Sequence, residues 1–483
     1  MNGSEEIELK LELPVDAVDR LRGLSLLGPP DEGPRTQVST YFDTPAGHVR
    51  KAGYSLRVRR KGRSFVQTVK EKGKETGGFS ARGEWERRIA GPGLDLEALG
   101  ETPVARLVAR KKVRNALAIA SETDVQRTTW LVRRDGTAIE LILDVGEVRA
   151  GARRDTVCEI ELELKSGERG MLFDLAREIG AEIPLRLGVL SKSERGFELT
   201  KRRPRIHKAE APQIAPEASI ADAFAAVVQS CLRHFRRNES LVAEARDSEA
   251  VHQLRVATRR LRSAFSLFEP VLAGPEQDVL RGDLSRLSDL IGRARDLDVT
   301  IAALRRRSAG SVPRGELPRL KRARTDACDE LLACLRSDDL PRLFLDVAAW
   351  AEAGRWREHP RASRSIEAFA EERLGRLWRK VRSKGQTPGD LSPEERHRLR
   401  IRAKKLRYAA EFFGGLSLGG DRRRWKHFLH ALEALQESLG RLNDAETLRT
   451  ISPAASVEVD SPRLLREADE SLAALRKIGP YWR

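Results

Sequence analysis

In several short stretches of this 483-residue chain, charged residues recur at every second position. The first stretch is Glu6-Ile-Glu8-Leu-Lys10-Leu-Glu12. Successive side chains of a strand point to opposite faces, so Glu6, Glu8, Lys10 and Glu12 share one face and Ile7, Leu9, Leu11 and Leu13 the other. CEIELELK repeats the pattern with Glu159, Glu161, Glu163 and Lys165. Arg57 and Arg59 alternate in SLRVRR. Lys70, then Arg82, Glu84 and Glu86, then Arg127 continue the series, and Asp144 closes LILDVG. One such strand is an ordinary half-buried strand with its charges in water. If the sheet made by a whole set of them closes into a barrel, the charges would line its inside while helices cover the outside. Carboxylates there would gather hard metal ions, which want oxygen ligands. Arginine and lysine would hold phosphates that complete the metal shell. So much enclosed charge is costly without a ligand, so water and an anionic substrate must enter.

A second kind of chemistry lies further along. Residues 251–265 read VHQLRVATRRLRSAF, and residues 396–413 read RHRLRIRAKKLRYAAEFF, a rough copy. His252, Arg255, Arg259, Arg260 and Arg262 become His397, Arg400, Lys404, Lys405 and Arg407. On a helix at about 100° per residue, His252, Arg255, Arg259 and Arg262 fall in a sector roughly 80° wide. Leu254, Ala257, Leu261, Ala264 and Phe265 form another face. His397, Arg400, Lys404 and Arg407 reproduce the stripe. Like charges three and four residues apart destabilise a helix by a few tenths of a kcal/mol per pair. A single stripe reads as a solvated arginine-rich face; a doubled one points to a bound anion, since guanidinium groups grip phosphate oxygens bidentately. The histidines alone signal less, because a lone histidine more often packs or hydrogen-bonds. LIGRARDLDV and SLGRLNDAET repeat as well, pairing Gly292-Arg293 with Gly440-Arg441 and Asp296 with Asp444.

The elements that must position these residues follow two grammars. Up to about residue 200 the apolar period is mostly two, with Gly, Asp and Pro punctuation, as strands require. Helices are predicted at DAVDRLRGL and at 168–180, the second ending at Gly180. Residues 201–218 carry three prolines and no apolar period, which reads as a linker. From Ser219 the period is 3.6. The expectation is a multidomain α+β chain: a strand-built domain over 1–203, a linker over 204–218, and an all-α bundle over 219–483 whose long repeat implies pseudo-two-fold halves.

Composition narrows the partners. Hydrophobic residues make up 40% and charged residues 33% of the chain, enough for a core in each half and too apolar for a disordered chain. The formal charge of +17 implies a polyanionic partner. Duplex DNA fits poorly, because the repeats lack a helix-turn-helix signature; aromatics at 5% are too few for stacking on single strands. Cys158, Cys231, Cys328 and Cys334 form no C-x-x-C pair, consistent with a reduced compartment. No secretory pattern opens the sequence and no stretch approaches 18 apolar residues, so the expected location is the cytoplasm.

The C-terminal motifs, VHQLRVATRRLRSAF, GRARDLDV, RHRLRIRAKKLRYAAEFF and SLGRLNDAE, resemble those of a CHAD domain, the conserved-histidine α-helical domain associated with polyphosphate binding. Asn238 and the closing IGPYWR add to the likeness, which spans about 219–483. It implies two helical halves whose basic stripes face one another and bind the polyanion through His252, Arg255, Arg259, Arg262, His397, Arg400, Lys404 and Arg407. The N-terminal motifs, E-x-E-x-K, YFDTPAG, SLRVRRKG, QTVK, ARGEWE, LDVG, EIELELKSG and LSKSERG, resemble those of a CYTH domain, of the triphosphate tunnel metalloenzymes, over about 1–200. That resemblance implies an eight-stranded antiparallel tunnel barrel that hydrolyses triphosphates, or in some branches cyclises ATP, with Mg²⁺ or Mn²⁺. Glu6, Glu8, Glu161 and Glu163 would hold metal and position or activate water, with Asp144 and Glu86 as second choices. Glu159 has the same parity, so the assignment within 159–163 can slip by two. Lys10, Arg57, Arg59, Lys70, Arg127 and Lys192 would bind the triphosphate, with Arg82 and Arg133 as further contacts. The implied protein is an inorganic triphosphatase joined to a polyphosphate binder. Thiamine or nucleoside triphosphates, and a non-catalytic polyphosphate scaffold, are the rivals.

Overall fold

The computed structural model describes residues 4–71, 77–201, 206–272, 274–305, 314–382, 387–416, 418–451 and 461–482. The chain divides into two compact units, Met1–Arg205 with Ser337–Gly354, and Ile206–Arg336 with Arg355–Arg483.

In the first unit the alternating stretches become strands β1 (Ser4–Glu12), β2 (Glu32–Asp43), β3 (Tyr54–Lys61), β4 (Ser64–Glu71), β5 (Phe79–Ile89), β6 (Ala118–Arg134), β7 (Thr137–Ala150) and β8 (Arg153–Ser166). They pair antiparallel in the order β5-β4-β3-β2-β6-β7-β8-β1, and β1 pairs with β5 to close the ring. Closure leaves no long free edge, which is how antiparallel sheets of this kind avoid edge pairing. A two-residue β9 (Arg186–Leu187) adds to β1 beyond the reach of β5. The register places Glu8 opposite Glu163, Lys10 opposite Glu161 and Glu12 opposite Glu159. Asp144 lies opposite both Glu159 and Arg127, and Lys70 opposite Glu84. Opposed residues share a face, so these charges form a band around the bore. The other face is apolar. Leu9, Leu11, Ile160 and Leu162 are fully buried, and helix Gly170–Glu182 packs over β1 and β8. Phe173 of that helix stacks on Phe79 at 5.6 Å between ring centroids.

The Gly170–Glu182 helix runs two residues beyond the stop predicted at Gly180. Gly180 does not take the left-handed conformation; burial of Ile179 and Ile183, with the Ile183 N–H donating to the Ile179 carbonyl at 2.9 Å, carries the turn through. A helix from far along the chain, Asp339–Ala353, packs against this helix and β9, and Arg177 donates to Asp346 at 2.8 Å. Helix Lys192–Leu199 packs against β6, β7 and β8 at one end of the barrel. Gly196 is required there, because a Cβ would lie 2.2 Å from Ser121 Oγ.

The second unit is all-helical among its described residues. Helix Ser248–Leu272 is followed by Pro275–Arg305, and helix Pro393–Phe412 by Arg422–Ile451; each packs against its successor. The two cationic sequences therefore sit in two segments of the same order. Phe224 anchors the core, meeting Phe265, Phe268 and Trp356 at 5.6, 5.2 and 5.4 Å. Such aromatic contacts add about 0.5–1.5 kcal/mol each beyond burial. The closing Tyr481 and Trp482 are buried against Phe428 at 5.5 and 5.4 Å. Residues 206–218 form no helix or strand, yet they are fastened to helix Ile220–Ala245. The His207 N–H donates to Asn238 Oδ1 at 3.0 Å and Asn238 Nδ2 returns a bond to the His207 carbonyl at 2.9 Å. Ile214 and Ala218 are buried.

Candidate active site and basic helices

Within the barrel, the described carboxylates that converge on one point are Asp144, Glu159 and Glu161, each offering an oxygen within 4.8 Å of the others. Asp144 and Glu159 are fully buried. Three cations face them. Lys192 Nζ lies 2.7 Å from Asp144, 2.5 Å from Glu159 and 3.1 Å from Glu161. Lys10 Nζ lies 3.1 Å from Glu159 and also bonds Glu161. Arg127 grips Asp144 with two bonds of 2.8 and 2.6 Å and comes within 3.5 Å of Glu161. Burial opposes the charges of Lys10, Lys192, Arg127, Asp144 and Glu161, and the opposite charges around them outweigh it. Lys192 and Lys10 are held above the ordinary lysine range, and Glu161 and Asp144 below the ordinary carboxylate range.

Lys192 reaches this point because the helix it begins plugs one end of the barrel. Ser191 caps the helix, its Oγ accepting from the Glu194 N–H at 3.2 Å while Glu194 Oε2 accepts from the Ser191 N–H at 3.0 Å. This reciprocal capping fixes the first turn. Arg195, one turn on, bonds Glu12 at 2.6 Å and lies 3.9 Å from Glu159. Phe197 packs beneath Arg50 at 3.8 Å, and Arg50 sits on a short helix capped by Asp43 of the YFDTPAG motif, whose carboxylate accepts from the Val49 and Arg50 N–H groups at 2.9 and 3.1 Å.

Glu6 pairs with Lys70 at 2.8 Å, and Lys70 with Glu84 at 3.2 Å. Glu8 is buried and accepts from Ser80 Oγ at 3.1 Å. Glu163 takes Lys165 at 2.6 Å; burial pushes its carboxyl up, and the nearby Glu6 and Glu140 add to this against Lys165. The converging group thus takes in Glu159 and not Glu163 or the β1 glutamates, because the register sets Glu163 one level up the bore beside Glu8. Arg57 reaches Glu84 and Glu86 at 3.5 and 3.7 Å. Arg59 is 9% exposed and has no ion pair among the described residues. Burial, then Arg57, then Arg127, push its guanidinium down to about 10. Arg133 lies exposed toward the end of β6, on the same strand face as Arg127. Arg82 faces Glu6 in the β1–β5 register, but its side chain is outside the described residues. Glu84 and Arg195 are among the groups in this network that carried no predicted role. Glu84 shares the parity of Glu86, and Arg195 follows Lys192 in LSKSERG.

The two basic helices of the second unit pack against each other. Arg255 bonds Asp296 at 2.6 Å, so the GRARDLD motif braces the first stripe. Burial, then Arg255, lower the pKa of Arg259, and Arg400 of the other helix lowers it further. The stripes therefore meet at Arg259 and Arg400. Lys404 is half-buried between turns, and Arg407 lies 3.3 Å from Glu411. Arg262 is exposed. Arg260, one position from Arg259, is 3% exposed, pairs with Glu411 and stacks over Phe412 at 4.8 Å. Its role is structural. His397 Nδ1 lies 2.6 Å from Asn443 Oδ1. Burial, then Arg295, which stands where Asn443 stands in the repeat, push His252 below the usual histidine range. Among the described residues no helix is long and apolar enough to cross a membrane.

A closed antiparallel barrel with a charged bore, followed by a helical unit with paired basic helices, defines the class. The CYTH domain model matches residues 4–197 and the CHAD domain model residues 226–451, so the chain belongs to the proteins that join a CYTH domain to a CHAD domain. An inorganic triphosphatase of Haemophilus influenzae is 30% identical over 162 residues, which are 33% of this chain and 45% of that protein. The chain thus matches less than half the length of that relative. Among solved structures, the CHAD domain of the plant Ricinus communis is 30% identical with a TM-score of 0.44, covering 58% of this chain and 94% of that one. A Hippeastrum protein described as an adenylyl cyclase with a dominant triphosphatase activity is 25% identical with a TM-score of 0.33, covering 41% of this chain and 98% of that one.

Proposed function

We propose that the barrel hydrolyses inorganic triphosphate to pyrophosphate and phosphate with Mg²⁺ or Mn²⁺, and that the basic helices bind longer polyphosphate. The observation that carries this reading is Arg59. A guanidinium this buried, crowded by Arg57 and Arg127 and only partly offset by Glu86, is fully compensated when an anion enters. Arg57, Arg59 and Arg127 present planar donors suited to several phosphate oxygens at once, and Lys10, Lys70 and Lys192 surround the same bore. Cations on several strands line the bore, which suits a substrate that is all phosphate, and the inorganic triphosphatase of Haemophilus influenzae supports that choice.

The carboxylate trio Asp144, Glu159 and Glu161 fits a hard divalent ion, since all its donors are oxygens. Glu6, Glu8 and Glu163 are the further carboxylates available to it. When bound, the ion supplies charge neutralisation and a more acidic water. The chain's own residues do the rest. The arginines align the terminal phosphorus. A carboxylate at the level of Glu8 and Glu163 orients the attacking water and accepts its proton as the P–O–P bond breaks. Lys10 and Lys192 hold the charge developing on the pyrophosphate that leaves. In the second unit, His252, Arg255, Arg259, Arg262, His397, Arg400, Lys404 and Arg407 would hold a chain of phosphates and keep the enzyme, a cytoplasmic one on this reading, where polyphosphate accumulates.

Phosphate release from tripolyphosphate and from ATP, by the full chain with Mg²⁺ or Mn²⁺, tests the reading. Fast release from tripolyphosphate with ATP poor is expected. Release from neither sinks it, and release from ATP alone moves the substrate to nucleotides.

A further inference from the structure

Among the described residues, the cation that contacts all three members of the carboxylate trio is a lysine side chain. Lys192 contacts all three members between 2.5 and 3.1 Å, and Lys10 and Arg127 complete the neutralisation. Three carboxylates therefore already have three cations in direct contact, with Arg195 3.9 Å from Glu159 as a more distant fourth. Glu159 still keeps one buried oxygen, Oε2, that accepts no hydrogen bond. The capped plug helix, seated against β6, β7 and β8, delivers the Lys192 ammonium to a fixed place. Gly188, next to β9, packs flat on the stem of Lys10, where a Cβ would lie 2.7 Å from Lys10 Cγ.

We propose that Lys192 is an internal counter-ion that a divalent metal must displace from the trio, and that the displaced ammonium then grips the triphosphate. The proposal rests on the assignment of the trio as the metal site. A metal arriving alone would leave an ammonium unpaired in a buried bore beside Arg127, which is costly. A polyanion arriving alone would draw Lys192 away and leave the carboxylates unpaired, which is equally costly. Arriving together, each satisfies what the other displaces. The two ligands then bind cooperatively, and by linkage each raises the affinity of the other by the same factor. Lysine suits this exchange better than arginine, being a compact charge on a flexible stem that can swing between partners.

Mn²⁺ titration of the full chain, followed by electron paramagnetic resonance without any phosphate, reads the exchange directly. Lys192→Met should bind Mn²⁺ at least tenfold more tightly than the wild type while binding tripolyphosphate more weakly. Lys192→Arg, which keeps the charge, should hold Mn²⁺ as weakly as the wild type. Unchanged or weaker Mn²⁺ binding in Lys192→Met overturns the proposal, as does equal tightening in both variants, which would trace the effect to packing. If Lys192→Met does not fold, acetylation of Lys192 in the wild type, read by mass spectrometry, decides: it should rise on adding Mn²⁺, and no rise overturns the exchange. Wild-type turnover of tripolyphosphate is scored separately. Turnover with no Lys192 effect removes only the counter-ion; a Lys192 effect without turnover removes only the substrate assignment.

Discussion

Replacing Arg59 with Met should make the ligand-free protein more stable and the enzyme worse. An arginine whose folded pKa lies below its unfolded one costs stability while it stays charged, and the cost fades as pH rises through the folded value. For Arg59 that value is about 10, set by burial and then by Arg57 and Arg127. The displacement corresponds to about 3 kcal/mol at neutral pH. Water entering the bore and relaxation of the neighbouring arginines will reduce this, so we expect Arg59→Met to gain about 1–2 kcal/mol. In a unit of this size that is a rise of roughly 3–6 °C in Tm. The loss falls on the substrate. Hydrogen bonds to charged groups are worth about 1.5–3 kcal/mol, so KM for tripolyphosphate should rise about 10- to 100-fold. The assay is thermal unfolding without phosphate or metal, paired with steady-state kinetics of phosphate release. A variant that melts lower than the wild type and keeps its KM would refute the reasoning, because Arg59 would then be a packing residue compensated inside the protein.

Glu159→Gln should lower metal-dependent turnover about a hundred-fold or more by weakening the trio, with Mn²⁺ affinity measured alongside to place the loss at the metal. Arg260→Ala should destabilise the helical unit by about 2 kcal/mol in denaturant unfolding by leaving Glu411 underpaired, whereas Arg262→Ala, at an exposed position, should stay within about 0.5 kcal/mol of wild type and weaken only polyphosphate binding. Burial and Arg295 lower the pKa of His252, so protonation costs the ligand-free unit stability as pH falls through the usual histidine range. Bound polyphosphate favours the charged ring, so its affinity should rise over the same interval, and His252→Gln should flatten that rise in a pH series of binding isotherms.

Strand parity made much of the barrel legible in the sequence. The alternation in EIELKLEL and CEIELELK shows at once that Glu6, Glu8 and Lys10 share a face, and that Glu159, Glu161 and Glu163 share another. Parity says nothing about height along the bore. Glu159 and Glu163 are equivalent in the sequence, and only the β7–β8 register, which sets Asp144 opposite Glu159 and Glu140 opposite Glu163, decides which of them stands beside Asp144. The helical wheel has the same strength and limit. It separates Arg259 from Arg260, which lie about 100° apart, but it does not show that Glu411 waits for Arg260 across the helix pair. Least legible was helix Asp339–Ala353. Its 3.6 period marks a helix, and nothing local marks it as a companion of β9.

That helix bears on how the protein is made. The first unit takes in Met1–Arg205 and Ser337–Gly354, so its last segment leaves the ribosome about 150 residues after the others. At roughly 5–20 residues per second, the barrel's covering helix arrives some 8–30 s late. Until then the apolar surface of helix Gly170–Glu182 and β9 that it will cover is open on the nascent chain. The same feature makes residue 205 a poor place to cut or transplant the gene, since a fragment ending there lacks a piece of its own unit.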